Sequence, residues 1–325
     1  MVWLEFIFCG SILTFFAYNL CKEGVVLSEK TNIEKGLIGM LFLAIATSFP
    51  EIVTSAAAIF TLGRIGLGYG DIIGSVMVNL MILLALDFAI GKGRILLCVS
   101  RVNKMTGVFV FVAGLIIMLV ALIRFAGVDF PSIGRFGLEN LFVVAIYLIA
   151  LGVIRRSGRP PEHHIFPEVR ESFWQIWGKF IFFLLTVMVL GVWMAKSGEK
   201  IVVETGLSQT FTGTLLLGLA TSLPEIIVSF TALRASSIDM AVGNILGSNL
   251  FDLCIIPLLD LLTERPILGM LTGGQVLATI FAVLLCGITA AGLYIRKETT
   301  SRVNPDTGLI FIVGLLGFVI LYFVK

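Results

Sequence analysis

The chain has 325 residues, 58% hydrophobic and 14% charged, with a mean hydropathy of +1.05, which excludes an ordinary soluble globule and implies a polytopic membrane protein. Its formal net charge of +2 carries no nucleic-acid signal. Five scattered cysteines, Cys9, Cys21, Cys98, Cys254 and Cys286, have the spacing of neither a disulfide framework nor a zinc site.

Runs long enough to cross about 30 Å of hydrocarbon fall near 2–20, 36–62, 72–90, 105–125, 137–154, 173–195, 211–233, 243–262, 272–295 and 307–324, which predicts ten spans. The opening residues, Met1-Val2-Trp3-Leu4-Glu5, lack the basic region of a cleaved signal and read as the start of a retained first span. The short apolar stretch 95–100, bracketed by Arg94 and Arg101, reads as interfacial. Loops after odd-numbered spans carry 15 Lys and Arg and the opposite side 7, Lys179 aside, so both termini are expected to face outward from a plasma (inner) membrane. The polar stretch 155–172 then reads as a cytoplasmic linker between a first half, 1–154, and a second, 173–325. His163 and His164 within it have no Cys or carboxylate cluster at ligand spacing and read as ordinary loop residues.

The second and seventh spans carry related interruptions: Ala46-Thr47-Ser48-Phe49-Pro50-Glu51-Ile52 and Ala220-Thr221-Ser222-Leu223-Pro224-Glu225-Ile226. A midspan carboxylate costs about 2.5–3.5 kcal/mol even on the lenient insertion scale. The proline frees a carbonyl one turn upstream, at Ala46 and Ala220. Hydroxyls, freed carbonyls and a carboxylate at one depth are hard oxygen ligands suited to a small hard cation.

A shift of 174 residues aligns the two motifs together with Ser55 and Ser229. A shift of 173 then lays Gly74, Ser75, Asn79 and Asp87 on Gly247, Ser248, Asp252 and Asp260. Five spans per half make the repeats inverted, so the fold class is an all-α membrane protein of ten helices in two inverted five-helix repeats. Such repeats place their site near the midplane, where interrupted helices meet. Spacings of four put Thr47 with Glu51, Ser75 with Asn79, Thr221 with Glu225 and Ser248 with Asp252 on common helix faces. Three converging acids, Glu51, Glu225 and Asp252, require a cation or a bound proton.

At these residues the chain resembles the sodium/calcium exchanger family of the cation/calcium exchanger superfamily, prokaryotic type. Its two repeats carry a Gly-Thr-Ser-x-Pro-Glu type motif followed by Gly-Ser-Asn-x-x-Asn or Gly-Ser-Asn-x-x-Asp. The second repeat matches closely, through Gly243-Asn244-Ile245-Leu246-Gly247-Ser248-Asn249-Leu250-Phe251-Asp252. The resemblance implies that Glu51 and Glu225 are the main calcium ligands and that Thr47, Ser48, Ser75, Thr221, Ser222 and Ser248 supply further oxygens. It implies that Asn79 and Asp252 complete the central site and that backbone oxygens of Ala44 and Gly218 serve flanking sodium sites. The first repeat departs from the pattern at Val76, where Asn is usual, and at Tyr69-Gly70-Asp71, where Val-Gly-Asn is common.

The expected function is therefore Ca2+ for Na+ antiport by alternating access, with Ca2+, Na+ and membrane lipid as partners and no cofactor, nucleic acid or obligate protein partner. The first and sixth spans are the expected gates. The nearer alternative is an antiporter of the same fold that couples to H+ or carries Mg2+ or Mn2+. A remote one is an intramembrane aspartyl protease, since Gly68-Tyr69-Gly70-Asp71 resembles a Gly-x-Gly-Asp signature, but the chain lacks the Tyr-Asp pair that chemistry needs. Asp71 reads as a cap of the third span, and Asp87 and Asp260 as interfacial or capping residues.

Overall fold

The computed structural model describes residues 1–30, 47–90, 95–96, 99–133, 136–156, 172–234, 238–295 and 305–324. The first part of the second span with Ala44, then Cys98, and the part of the linker with His163 and His164 lie outside them.

The described chain is helical apart from one small hairpin, in which Ser132 pairs with Gly137 and Ile133 with Phe136. The helices are α1 (Val2–Lys30), α2 (Phe49–Ala56), α3 (Ile65–Ile90), α4 (Arg101–Phe125), α5 (Glu139–Arg156), α6 (Phe173–Thr205), α7 (Gln209–Phe211), α8 (Gly218–Thr221), α9 (Leu223–Arg234), α10 (Ile238–Asp260), α11 (Gly273–Ile295) and α12 (Pro305–Phe323). π-helical turns extend α2 over Ala57–Thr61 and join α7 to α8 over Thr212–Leu217. Seven of these helices are long and apolar enough to cross a membrane. Residues 209–234 form an eighth span, bent by 41°, and the shorter apolar helices Phe49–Thr61 and Glu139–Val153 stand where spans two and five are expected.

Polarity is inverted relative to a soluble protein. Phe8, Phe15, Phe182, Leu185 and Val189 are exposed, whereas Glu51, Asp71, Asn79, Glu225 and Asp252 have no exposed surface. Lipid accepts the apolar exterior, and the polar groups turn inward because hydrocarbon offers them no partner. The most buried spans are α3 and α10, with 72% and 78% of their most apolar windows inside the protein, against 28% for the peripheral α6. One apolar cluster surrounds α3 and α10 with α4, α11 and α12. A second joins α1 to α6 through Cys9, Leu13, Ala17, Val187, Leu190 and Met194 and touches the first motif's helix through Ala57 and Ala58.

The third span starts seven residues earlier than expected, at Ile65, because its glycines serve close packing and do not break the helix. A Cβ at Gly70 would stand 3.1 Å from Gly213 Cα, and one at Gly74 would run into the carbonyl of Thr214. Backbone contact of this kind is how helices approach closely in lipid. Asp71 therefore sits inside α3 and does not cap it, a correction forced by that longer helix.

Residues 95 and 96, at the start of the stretch expected to be interfacial, are both fully buried within the protein. The reason is local: Asp87 at the end of α3 accepts a hydrogen bond from the Ile95 backbone N–H at 3.0 Å and from Thr307 of α12 at 2.8 Å. Asp260 does the corresponding work in the other half, accepting from Ile267 N, from Gly137 N at 3.3 Å and from Asn140 Nδ2 of α5 at 2.6 Å. Both aspartates thus tie a returning turn and the last helix of one repeat to the third helix of the other.

Arg124, in the last turn of α4, pairs with Glu139 at 3.2 Å, and their side chains are only 9% and 1% exposed. Removing one member of such a pair strands a buried charge. Arg124→Met is expected to cost about 3–5 kcal/mol, read as a lowered midpoint of thermal unfolding in detergent. Arg124→Met combined with Glu139→Gln should recover much of that loss.

Candidate functional site

The two motifs break their helices in the same way. Pro224 cannot donate to Ala220, so α8 ends at Thr221 and α9 begins at Leu223, leaving Ser222 between them at φ −82°, ψ 1°. Ser48 before α2 has nearly the same conformation, φ −83°, ψ 10°. Each break turns a serine and a glutamate into the interior between α3 and α10.

The contacts that follow are related by the repeat. Ser48 Oγ donates to Glu225 Oε1 at 3.3 Å, and Ser222 Oγ donates to Glu51 Oε1 at 3.5 Å. Thr47 Oγ1 stands 3.1 Å from Ser248 Oγ, and Thr221 Oγ1 stands 3.3 Å from Ser75 Oγ. Each half therefore supplies hydroxyls to the other half's carboxylate. Ser75 Oγ also lies 3.5 Å from Glu51 Oε1 and 3.5 Å from the Gly218 carbonyl.

Twelve buried side-chain polar atoms lack a hydrogen-bond partner among the described residues, and six of them belong to four of the motif residues: Glu51 Oε2, Glu225 Oε2, both oxygens of Asp252, and the amide oxygen and nitrogen of Asn79. An orphaned polar atom in a dry interior is costly and calls for an explanation. The charges of Glu225, Asp252 and Asp71 all act on Glu51. Among the described residues no three Asp, Glu, His or Cys side chains stand close enough to hold a metal ion by themselves. A cation here would take carboxylate, hydroxyl and carbonyl oxygens together.

Eleven of the twelve expected site residues fall in this region: Glu51, Glu225, Asp252, Asn79, Thr47, Ser48, Ser75, Thr221, Ser222, Ser248 and Gly218 are all buried. Ala44 is the one outside the described residues. Sequence reasoning missed the group behind the first shell of oxygens. Asp71 accepts from Ser55 at 2.9 Å and from Thr221 at 2.9 Å, and at the mirrored positions Asn244 Nδ2 donates to Ser229 Oγ at 3.0 Å and to the Glu225 carbonyl at 3.3 Å. The signal was available: Ser55 and Ser229 are among the identities that define the repeat, and the shift of 173 lays Asp71 on Asn244. An open cavity of about 510 Å³ lies near the start of α7, lined by Gln209, Thr210 and Gln275 and by none of the site residues.

Comparison with known proteins agrees with this architecture. A chain named as an antiporter, CaxA, of Alkalimonas amylolytica is 23% identical over 98% of this chain and 98% of its own length. The inner membrane protein YrbG of Escherichia coli is 24% identical over 75% and 74%. Among solved structures, the H+/Ca2+ exchanger CAX superposes with a TM-score of 0.72 at 12% identity over 99% of this chain and 86% of that one. The sodium-calcium exchanger NCX_Mj, soaked with Na+ and Sr2+, gives 0.56 at 21% identity over 98% and 99%. These likenesses carry the fold, ten helices in two inverted repeats. The model of the sodium/calcium exchanger protein family matches residues 1–154 and 175–324, and the chain belongs to that family.

Proposed function

We propose that the protein is a secondary active antiporter exchanging Ca2+ for Na+ by alternating access, with the transported cation held between Glu51 and Glu225 near the membrane midplane. The observation that carries this reading is the set of orphaned, fully buried oxygens on Glu51, Glu225, Asp252 and Asn79. The spacing of their neighbours supports it. Hydroxyl hydrogen bonds settle near 2.7–2.8 Å, yet the oxygens around Glu51 and Glu225 stand 3.1–3.5 Å apart. Adjacent ligands of a cation bound at 2.3–2.6 Å in octahedral geometry keep about 3.3–3.7 Å between them. Hydrogen-bonding distances return one layer out, at Asp71.

Both structural neighbours are named as calcium exchangers, one with H+ and one with Na+. In this reading residues 1–154 and 173–325 are the two repeats, 155–172 is a cytoplasmic linker, and both termini face outward from the inner membrane. The pair α1 and α6 has its own apolar cluster and slides as a gate against the core around α3 and α10.

The test is uptake of radioactive calcium into proteoliposomes under either an outward sodium gradient or a pH gradient. Sodium is expected to drive uptake and external Mg2+ or Mn2+ to compete weakly. Uptake driven by the pH gradient alone would replace the sodium reading with the proton-coupled one.

A further inference from the structure

We propose that Asp71 is a positioning residue of the cation site: it holds the hydroxyl of Thr221 so that Thr221 presents its lone pairs to the ion bound beside Glu51. The inference deepens the function proposed above and rests on it.

Asp71 is fully buried in the second turn of α3, and its two oxygens are taken by one hydroxyl from each repeat, Ser55 and Thr221. Thr221 Oγ1 lies 2.9 Å from Asp71 Oδ1 and 2.9 Å from the Leu217 carbonyl. A hydroxyl has one proton to give and two lone pairs. Both Asp71 oxygens accept hydroxyls, and a carboxylate is a stronger acceptor than a peptide carbonyl, so the proton is committed to Asp71. The lone pairs of Thr221 are then left to the side where Ser75 stands at 3.3 Å, itself 3.5 Å from Glu51 and from the Gly218 carbonyl. An ion at this point meets Thr221 only as an acceptor. Groups of this kind behind metal ligands fix their orientation, and their loss typically costs 10–100-fold in metal affinity.

The second repeat shows that the device is particular to one side. Asn244 occupies the register of Asp71 there, its amide nitrogen bonds Ser229, and its oxygen has no partner among the described residues. The two halves of the site are therefore inequivalent behind Thr47 and Thr221. Asparagine also fits this register in the fold, which makes Asp71→Asn a mild substitution in shape.

The experiment is equilibrium binding of radioactive calcium to the purified full chain in lipid nanodiscs, with thermal unfolding measured on the same samples. Asp71→Asn is expected to weaken calcium binding about tenfold with little change in unfolding temperature, and Thr221→Val to weaken it similarly. The double variant should be no worse than either single one, because Asp71 acts through Thr221, and Thr221→Ser should restore binding to within about twofold. Losses that multiply in the double variant, or Asp71→Asn binding calcium like the wild type, overturn the proposal. If Asp71→Asn does not accumulate, Asp71→Ser, which keeps an oxygen acceptor without the charge, carries the same comparison. Glu51→Gln separates the two levels of inference. If it binds calcium like the wild type, the exchange site itself is misplaced and this proposal falls with it; if it does not, while Asp71→Asn does, only the role of Asp71 fails.

Discussion

Glu51→Gln and Glu225→Gln are each expected to abolish calcium transport, lowering calcium affinity by at least about 100-fold, while the chain still folds. The expected loss follows from what each carboxylate faces. Glu51 receives hydroxyls from Ser75 and Ser222 on one oxygen, and its second oxygen has no hydrogen-bond partner among the described residues. Glu225 repeats the arrangement with Ser48. Removing one partner from a buried charge pair costs about 3–5 kcal/mol, and 1.4 kcal/mol is tenfold in affinity. Glutamine keeps the volume and an oxygen, so the same substitution relieves repulsion among Glu51, Glu225 and Asp252 in the empty protein. Calcium titration calorimetry and thermal unfolding on one preparation check both halves of this expectation: binding lost, unfolding temperature held or raised. A variant unable to fold would instead show these carboxylates to be structural.

Gly74→Val is expected to prevent assembly of a functional core, the largest stability effect in the molecule. The α3 backbone at Gly74 lies against the π-helical turn Thr212–Leu217, where an added Cβ would collide with Thr214's carbonyl. At Gly218 it would come within 2.7 Å of the Gly74 carbonyl carbon. Both obstacles are backbone, so no side chain can swing aside. Overpacking of even a few methylenes costs about 1–3 kcal/mol where neighbours can move, and here the helices must separate. That displacement also pulls Gly218's carbonyl away from Ser75. Loss of monodisperse protein on size exclusion is the expected readout, whereas Gly308→Val, at a glycine with no neighbour within 4 Å, should leave it unchanged.

The fold class was legible in the sequence, and so was the gathering of the candidate residues. Carboxylate, hydroxyl and proline recur at fixed offsets, as a shared oxygen site would require, and the two motifs meet in the interior. Helix ends were less legible, since glycine signals a break and a close approach alike. Gly66, Gly68 and Gly70 read as the loop before the third span, and only their close neighbours, Gln275, the Ser55 carbonyl and Gly213 respectively, show them to be helical packing positions. The same ambiguity misread Asp71, whose partners Ser55 and Thr221 come from different repeats. Hydropathy was blind to the turn at Ile95 for a related reason: its burial goes with a hydrogen bond from its N–H to Asp87, eight residues away.

Anomalous diffraction from crystals soaked in strontium or calcium tests most directly whether the two repeats share one cation. The account predicts a single strong peak with Glu51 and Glu225 both within about 2.3–2.6 Å, and its disappearance in Glu51→Gln. A peak coordinated elsewhere, or no peak between these two side chains at saturating ion, would contradict it.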